Sequence, residues 1–252
     1  MPTLPADHAP QSRQNDRETF SWRRTRFALF AIALFFAAFA RAEGFKEIRA
    51  KAEQNDAEAQ NSLGALYKDG LQGVTQDYAK AIQWFHKAAE QGNARAQYNI
   101  GLMCEGGQGM TQDYAAAEKW YRKAAEQGHV EAQNNLGVLY KDARGVAQNH
   151  EEAYKWLLKA AEQGDAMAQC NLGGMYLRGQ GVPQDDITAG MWIYLCAAGL
   201  EHDDSPDYFA LLAAGNVLKK RLTDQQIEEA MQLAREWEKN IRKNDGADTG
   251  AQ

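Results

Sequence analysis

The sequence predicts an all-α protein, a right-handed α/α solenoid built from helix-turn-helix repeats. Three observations support this fold class. Four of the six tryptophans stand 36 residues apart, the segment KAAEQG occurs three times at the same step, and glycines recur in register with both. A repeat of this length is typical of stacked arrays in which each unit buries an apolar face on the next. The repeated tryptophans are Trp84, Trp120, Trp156 and Trp192.

The register divides the centre of the chain into four units of two helices each. In the first unit, Ala59, Leu63 and Leu66 recur at three- and four-residue spacing, which predicts one apolar helix face. This first helix should end at Gly70, because glycine tolerates a left-handed C-terminal residue. Ala143 takes that place in unit three, so we expect a less sharply defined end there. The predicted units are 56–92, 93–128, 129–164 and 165–200.

The second helix of each unit should begin after a short polar side chain that can accept a hydrogen bond from free backbone N–H groups. Its apolar stripe includes Ala81, Trp84 and Ala88. We therefore interpret the tryptophans as core residues and not as a row of ligand-binding rings. The predicted caps are Asp77, Asp113, Asn149 and Asp185.

A glycine also occurs inside the first helix of every unit, where it costs roughly 1 kcal/mol relative to alanine. Since all four units keep it, the position must serve packing. We predict that the absent side chain makes room for a residue of the second helix. The glycines are Gly64, Gly101, Gly137 and Gly173.

The array should be covered at both ends. Residues 43–55 resemble a lone second helix with Asn55 in the glycine place, which predicts a capping half-repeat. Residues 201–243 predict two C-terminal capping helices, at about 206–221 and 224–243, and 244–252 predict a disordered tail.

The last helix should begin with a capping box between Thr223 and Gln226. Its apolar side should face the array, as terminal caps of solenoids do. The inward residues are predicted to be Ile227, Met231, Leu233, Ala234 and Trp237.

The repeated pattern resembles the Sel1-like repeat family, which is related to the tetratricopeptide repeats. It reads A-x-x-x-L-G-x-x-Y, G-x-G-V, Asp, and then A-x-x-W-F/Y-x-K-A-A-E-Q-G, over 56–200. The resemblance implies a solenoid that binds and organises other proteins. Cys104 in place of Tyr and Ala143 in place of Gly depart from the pattern. Some cysteine-rich bacterial relatives have been described as binding β-lactams, so a β-lactam-binding hydrolase stays an alternative.

Residues 1–42 have the layout of a secretory signal peptide. Arg23, Arg24 and Arg26 precede an apolar run from Phe27 to Ala40, and Ala40-Arg41-Ala42 offers a cleavage site. The run would span roughly 21 Å as a helix, short of the roughly 30 Å hydrocarbon core. We expect a periplasmic or secreted bacterial protein. Retention as an inner-membrane anchor facing the periplasm is the alternative, and the Arg pair leaves a twin-arginine export route open.

The charge balance bears on partners. Without residues 1–42, 22 Lys and Arg stand against 31 Asp and Glu, a net charge of −9. Such a surface repels nucleic acid and favours neutral or basic partners. We expect a protein or peptide partner, no nucleic acid, and no membrane contact unless the N-terminal segment is retained.

The sequence offers little chemistry. Cys104, Cys170 and Cys196 form no C-x-x-C pair, so neither a metal site nor a cofactor is predicted. We interpret them as buried free thiols, with a Cys170–Cys196 disulfide as the alternative. No S-x-x-K or G-x-S-x-G motif occurs, so no catalytic residue and no enzyme activity are predicted. His86 should face solvent, and the His202-Asp203-Asp204 cluster is interpreted as a solvated loop.

The predicted binding face lies on the first helices, which line the inner wall of a curved solenoid. Positions −6, −3, +1 and +4 from the repeat glycine share one helix face and differ most between units. Their apolar middle, Tyr98, Leu102 and Val138, suits an extended peptide or a partner helix. A cell-wall glycan is the alternative ligand. The predicted partner-binding residues are Arg95, Tyr98, Leu102, Glu105, Asn134, Val138 and Lys141.

Overall fold

The computed structural model describes residues 44–200 and 206–247, and every regular element within these ranges is a helix. This confirms the all-α prediction. The first helix, α1, covers 44–53, and pairs of helices follow it, α2 with α3 up to α8 with α9. The later helices are α2 (Ala57–Asp69), α3 (Tyr78–Glu90), α4 (Ala94–Gly106), α5 (Tyr114–Glu126), α6 (Val130–Asp142), α7 (His150–Glu162), α8 (Ala166–Arg178), α9 (Asp186–Gly199), α10 (Pro206–Arg221) and α11 (Asp224–Ala247).

The second helices begin at the predicted caps. The side chains of Asp77, Asp113 and Asn149 each accept a hydrogen bond from the backbone N–H three residues later, at 2.9, 2.9 and 3.0 Å. Asp185 accepts from the N–H groups of Ile187 and Thr188. Each of these side chains therefore satisfies a backbone donor that has no partner inside its helix.

The first helices end in a left-handed residue in all four units. Gly70, Gly107 and Gly179 have φ values of 67°, 65° and 64°. Ala143 adopts the same conformation, with φ 57°, and its N–H bonds to Leu139 O. The expectation of a less sharply defined end in unit three is wrong. The unit holds alanine in a conformation that costs it roughly 1 kcal/mol.

The glycines inside the first helices make room for the second helices, as predicted. A Cβ on any of them would lie between 2.5 and 2.7 Å from a side chain of the paired helix, far inside ordinary contact distance. The opposing residue is aromatic in two units and aliphatic in the other two. The pairs are Gly64 with Phe85, Gly101 with Tyr121, Gly137 with Leu157, and Gly173 with Ile193.

The repeated tryptophans stand one position before these opposing residues and are not uniformly buried. Trp156 and Trp192 are core residues, but Trp84 and Trp120 are only half-buried, so the prediction is wrong for those two. In the first three units a lysine one helical turn later covers the ring, with its Nζ at 4.1, 4.3 and 4.3 Å from the ring centroid. These lysines are Lys87, Lys123 and Lys159.

His86 lies on α3 and does not simply face solvent. It is half-buried, and its ring packs edge-on against Trp120 of the next unit, with centroids 5.4 Å apart. The prediction of a solvated histidine is wrong because the side chain fills the space between two second helices.

A row of buried glutamines links the units. Each lies on a first helix and donates through Nε2 to a backbone carbonyl in the helix before it, at 3.1 to 3.4 Å. In the first three units its Oε1 also accepts a hydrogen bond from a second glutamine at the end of the same hairpin. The row consists of Gln60, Gln97, Gln133 and Gln169.

Helix α1 covers the N-terminal face of unit one. Ala52 is buried against Ala59 and Leu63, and Asn55 is left-handed with φ 69°. Gln60 donates to Ala52 O, so α1 supplies to unit one the carbonyl that a preceding unit supplies elsewhere. Its place in the array is that of a second helix.

Helix α11 covers the C-terminal face. Trp237 packs against Trp192 with ring centroids 4.9 Å apart, and Ala234 is buried. The predicted Thr223–Gln226 capping box is confirmed, since each of the two side chains accepts from the other residue's N–H. Two details were wrong. Leu233 is exposed while Ala230 is buried in its stead, and the helix continues to Ala247 instead of ending near 243.

A disulfide joins the two helices of unit four. Cys170 on α8 bonds Cys196 on α9, with Cα atoms 5.2 Å apart, while Cys104 is a buried free thiol. The interpretation of three free thiols is therefore wrong for two of them. Their repeat positions look unrelated in sequence, but they face each other across the hairpin.

Three stretches lie outside the described residues: 1–43, 201–205 and 248–252. The predicted signal peptide, the His202-Asp203-Asp204 cluster and the end of the predicted tail fall there. Among the helices that are described, none is long and apolar enough to cross a membrane.

Candidate partner-binding face

The first helices of successive units, α2, α4, α6 and α8, lie side by side and form a surface that we call the A-face. Asparagines join neighbouring helices across it. Asn99 Nδ2 donates to Asn61 Oδ1 at 3.0 Å, and Asn171 Nδ2 donates to Asn134 Oδ1 at 3.2 Å. The seven predicted binding residues are on α4 and α6, in the middle of this surface.

An aromatic cluster occupies the centre of the A-face. Tyr98 is half-buried, and its ring stacks on His129 of the next unit with centroids 4.7 Å apart and planes 26° apart. The ring of Tyr121 lies 5.8 Å away. Burial and the nearby Glu131 carboxylate raise the pKa of Tyr98, so its hydroxyl stays protonated and can donate a hydrogen bond. Leu102, one helical turn further along α4, is a half-buried apolar residue packed against the same core.

Glu105 is engaged within the array. The hydroxyl of Tyr121, whose side chain is otherwise fully buried against Gly101, donates to Glu105 Oε2 at 2.6 Å. Burial, together with the hydrogen bond to this carboxylate, raises the pKa of Tyr121 far above its ordinary value. Arg144 of unit three approaches Glu105 Oε1 at 3.8 Å. Glu105 therefore positions Tyr121 and is not a free anion.

Lys141 and three amides form a chain of hydrogen bonds at the C-terminal side of the face. Lys141 Nζ donates to Asn171 Oδ1 at 2.5 Å, Asn171 donates to Asn134, and Asn134 donates to Asn135 Oδ1 at 3.4 Å. Burial lowers the pKa of Lys141. Val138, one helical turn before Lys141, is half-buried and packs against the core. An ammonium has three donor positions, so Lys141 keeps capacity for an external acceptor.

Arg95 lies at the N-terminal edge in an exposed ion pair. Its Nη1 is 3.0 Å from Glu58 Oε1, and Asn93 donates to the other oxygen of the same carboxylate. Exposed pairs of this kind contribute only about 0–1 kcal/mol. Arg95 can therefore exchange Glu58 for a ligand carboxylate at little cost.

Sequence reasoning placed the seven residues on one surface but missed what they contact. It treated the face as separate from packing, whereas Tyr98, Glu105, Asn134 and Lys141 all contact neighbouring helices. The missed residues are the asparagines two positions before the repeat glycine and the glutamine row. The same polar residue recurs at a fixed position of the first helix in successive units. This recurrence could have revealed both the asparagines and the glutamine row from the sequence. These asparagines are Asn99, Asn135 and Asn171.

The chemistry of the A-face is that of recognition. It offers amide donors and acceptors, Lys141, Arg95 and the half-buried phenol of Tyr98 beside apolar side chains. Among the described residues, no group of three or more His, Cys, Asp or Glu side chains is placed to hold a metal ion. Neutral amides of this type can pair with both the N–H and the C=O groups of a peptide backbone.

The sequence profile of the Sel1 repeat matches four consecutive segments, which together make up more than half of the chain. They are 57–93, 94–129, 130–165 and 166–202. Each matched segment begins one residue after the start of a predicted unit.

Solved structures and a curated protein are similar to this chain. The crystal structure of a Sel1 repeat protein from Oxalobacter formigenes is 35% identical over 71% of this chain and 48% of its own, with a TM-score of 0.60. A protective antigen of uropathogenic Escherichia coli strains with an SLR fold is 27% identical over 78% of this chain and 56% of its own, with a TM-score of 0.43.

The curated protein is the ERAD-associated E3 ubiquitin-protein ligase component HRD3A of Arabidopsis thaliana, which is 34% identical over 59 residues, or 23% of this chain and 9% of its own. The chain thus spans about half the length of the two crystallised proteins and a small part of the plant protein. Four matched repeats and a structure of stacked helical hairpins lead to one conclusion: the chain belongs to the Sel1 repeat family.

Proposed function

We propose that this protein is an exported scaffold that binds an extended segment of a partner protein on the A-face. Sel1 repeat arrays are typical of protein–protein interaction and are generally non-enzymatic. The observation that carries the proposal is the row of amides, Asn61 with Asn99 and Asn134 with Asn171, on either side of the half-buried Tyr98.

The row suits a peptide in extended conformation. An extended chain exposes unpaired N–H and C=O groups along its length, and asparagine side chains can bond both. Tyr98, Leu102 and Val138 add apolar contact area between the amides. Lys141 and Arg95 supply positive charge at the two sides of the face, where ligand carboxylates can bind.

Export is supported by two independent features. Residues 1–42 carry the signal-peptide pattern, and the Cys170–Cys196 bond is of a kind that persists in oxidising compartments. A periplasmic or secreted location agrees with both. Retention of the N-terminal segment as an inner-membrane anchor would place the same array in the same compartment.

The test is affinity capture from an envelope extract with the isolated protein and two variants. Tyr98→Ala with Val138→Asp should lose the specific partner while keeping its helical circular dichroism and cooperative melting. Leu71→Ala is the matched control, since Leu71 is an apolar side chain 54% exposed in the α2–α3 loop, outside the A-face. Capture of an unchanged set of proteins by the folded double variant would contradict the proposal.

Glycan binding is the second ligand class, and the A-face favours it less. Tyr98 is the ring at its centre, and one of its faces is occupied by His129. Sedimentation with purified peptidoglycan separates the two ligand classes, because the protein should stay in the supernatant. Turnover of a chromogenic β-lactam tests the hydrolase alternative in the same preparation, and we expect none.

A further inference from the structure

Units one to three end their hairpins with a glutamine pair. Gln91 Nε2 donates to Gln60 Oε1 at 2.7 Å, and the equivalent bonds in units two and three are both 2.8 Å. Unit four keeps the buried acceptor, Gln169, but Gly199 stands 36 residues after Gln163, where the donor would be. The last hairpin therefore has half of the pair.

The remaining half is buried and has an unused acceptor. Gln169 is 7% exposed, and its Nε2 donates to Ala161 O at 3.4 Å. Its Oε1 forms no hydrogen bond with any residue in the described part of the chain. Although the residue as a whole is buried, this oxygen lacks the side-chain donor that its counterparts have. In the other units the same atom is satisfied by a primary amide.

A cavity of about 220 Å³ lies beside Gln169, between the end of α7, α8, α9 and α11. Gly199 also lines it, so it includes the space next to the missing donor. Most of the wall is apolar, from Leu195, Trp237 and Ile241, and Glu162 and Glu238 also line it. The volume is several times the roughly 30 Å³ that one water occupies in the liquid.

We propose that this cavity binds a primary amide, the side chain of a glutamine inserted by a partner polypeptide. The amide N–H donates to Gln169 Oε1, as Gln91, Gln127 and Gln163 do in the other units. The ligand's methylenes pack on Trp237 and Leu195. Glu162 and Glu238 disfavour a ligand carboxylate, and burial in the apolar wall disfavours an ammonium group. This site does not include the A-face, and the inference does not depend on the function proposed for that face.

The experiment is a titration of the isolated ¹⁵N-labelled protein with N-acetylglutamine methylamide. The indole N–H signal of Trp237, assigned with Trp237→Phe, should shift saturably with a dissociation constant on the order of 1 mM, as expected for a ligand of this size. The glutamate, methionine and lysine analogues should each bind at least tenfold more weakly. Equal or tighter binding of any of these three would overturn the proposal.

Three variants locate the site. Gln169→Met removes the acceptor at nearly constant size and should weaken the glutamine probe at least tenfold. Gln97→Met is the matched control, because its acceptor is already occupied by Gln127 within unit two, and it should leave probe binding unchanged. Ala198→Leu narrows the cavity without touching Gln169 and should also weaken binding, which keeps the test decisive if Gln169→Met does not fold. Unchanged affinity in both Gln169→Met and Ala198→Leu would refute the site.

Discussion

Units one to three and unit four have the same helices but are held by different chemistry. The first three use repeated polar contacts, a glutamine pair at the end of each hairpin and a lysine over each tryptophan. Unit four has Gly199 and Leu195 at those positions. It has instead a disulfide, and Trp237 of α11 packs where a lysine would cover Trp192.

The difference shows what the repeated residues are for. A lysine over a tryptophan leaves the outer surface of a unit polar, which suits a helix that borders solvent. Leu195 instead extends the apolar surface of α9, and α11 covers it. The last unit therefore keeps the fold while exchanging hydrogen bonds for a covalent bond and apolar burial.

The largest expected effect comes from the feature that all units share. An ideal Cβ on Gly137 would lie only 2.6 Å from Leu157 Cγ, so Gly137→Leu overpacks the contact between α6 and α7. This overpacking should lower the free energy of unfolding by about 3 kcal/mol or more. For a chain of this size that corresponds to a melting temperature lower by roughly 6–12 °C.

Gly215→Ala is the matched control for this substitution. A Cβ there meets nothing within 4 Å, so the change should stabilise helix α10 by roughly 1 kcal/mol. If both variants melted at the temperature of the parent, the close approach of the paired helices would not matter to stability.

Reducing the disulfide should be nearly as costly, and only unit four should respond directly. Loss of a cross-link between residues 26 apart should lower the free energy of unfolding by about 3 kcal/mol. Melting with and without reductant measures this. In Cys170→Ala/Cys196→Ala the reductant should have no further effect, while Cys104→Ala should keep the full response.

The glutamine row gives a smaller and graded effect. Gln133→Met removes two hydrogen bonds and should cost about 2 kcal/mol, whereas Gln169→Met removes one and should cost about 1 kcal/mol. Chemical denaturation of both variants at constant m-value tests the ranking. Equal losses would mean that the second glutamine contributes nothing.

The lysines should contribute least. Lys123→Ala removes a cation from the ring of Trp120 at 4.3 Å and should cost about 0.5–1 kcal/mol. Lys119→Ala, at an exposed lysine next to Trp120 in sequence on the same helix, provides the comparison and should change stability less. If Lys123→Ala lowered the free energy of unfolding by about 2 kcal/mol or more, packing of the lysine methylenes would contribute more than the cation–π interaction does.

The repeat itself made most of the fold predictable. Register, caps, glycine contacts and the Thr223–Gln226 box all follow from local rules applied to recurring residues. Two of the errors lie where one copy departs from the others. Ala143 is left-handed because the surrounding repeat imposes that backbone conformation. Cys170 and Cys196 occupy different positions of the repeat, but the two helices of the hairpin bring them together.

The candidate face was less predictable than the fold. Helical spacing placed Tyr98 and Val138 on the first helices, but spacing does not show which residue of the next unit each one meets. The stacking of Tyr98 on His129 depends on the offset between neighbouring hairpins. That offset results from packing over many residues and is not encoded in any single motif. Ligand binding by the seven residues stays a prediction.

The glutamine pairs have a consequence for how such a chain can change in length. A copy of unit two inserted after itself would bring its own donor and acceptor, so each new junction would be complete and the array would simply grow. A copy of unit four in the same place would leave the Oε1 of its buried glutamine without a glutamine donor. The apolar surface of its second helix would lie at the junction with the next unit. Duplication of an inner unit therefore preserves the contacts between units, whereas duplication of the last unit disrupts them.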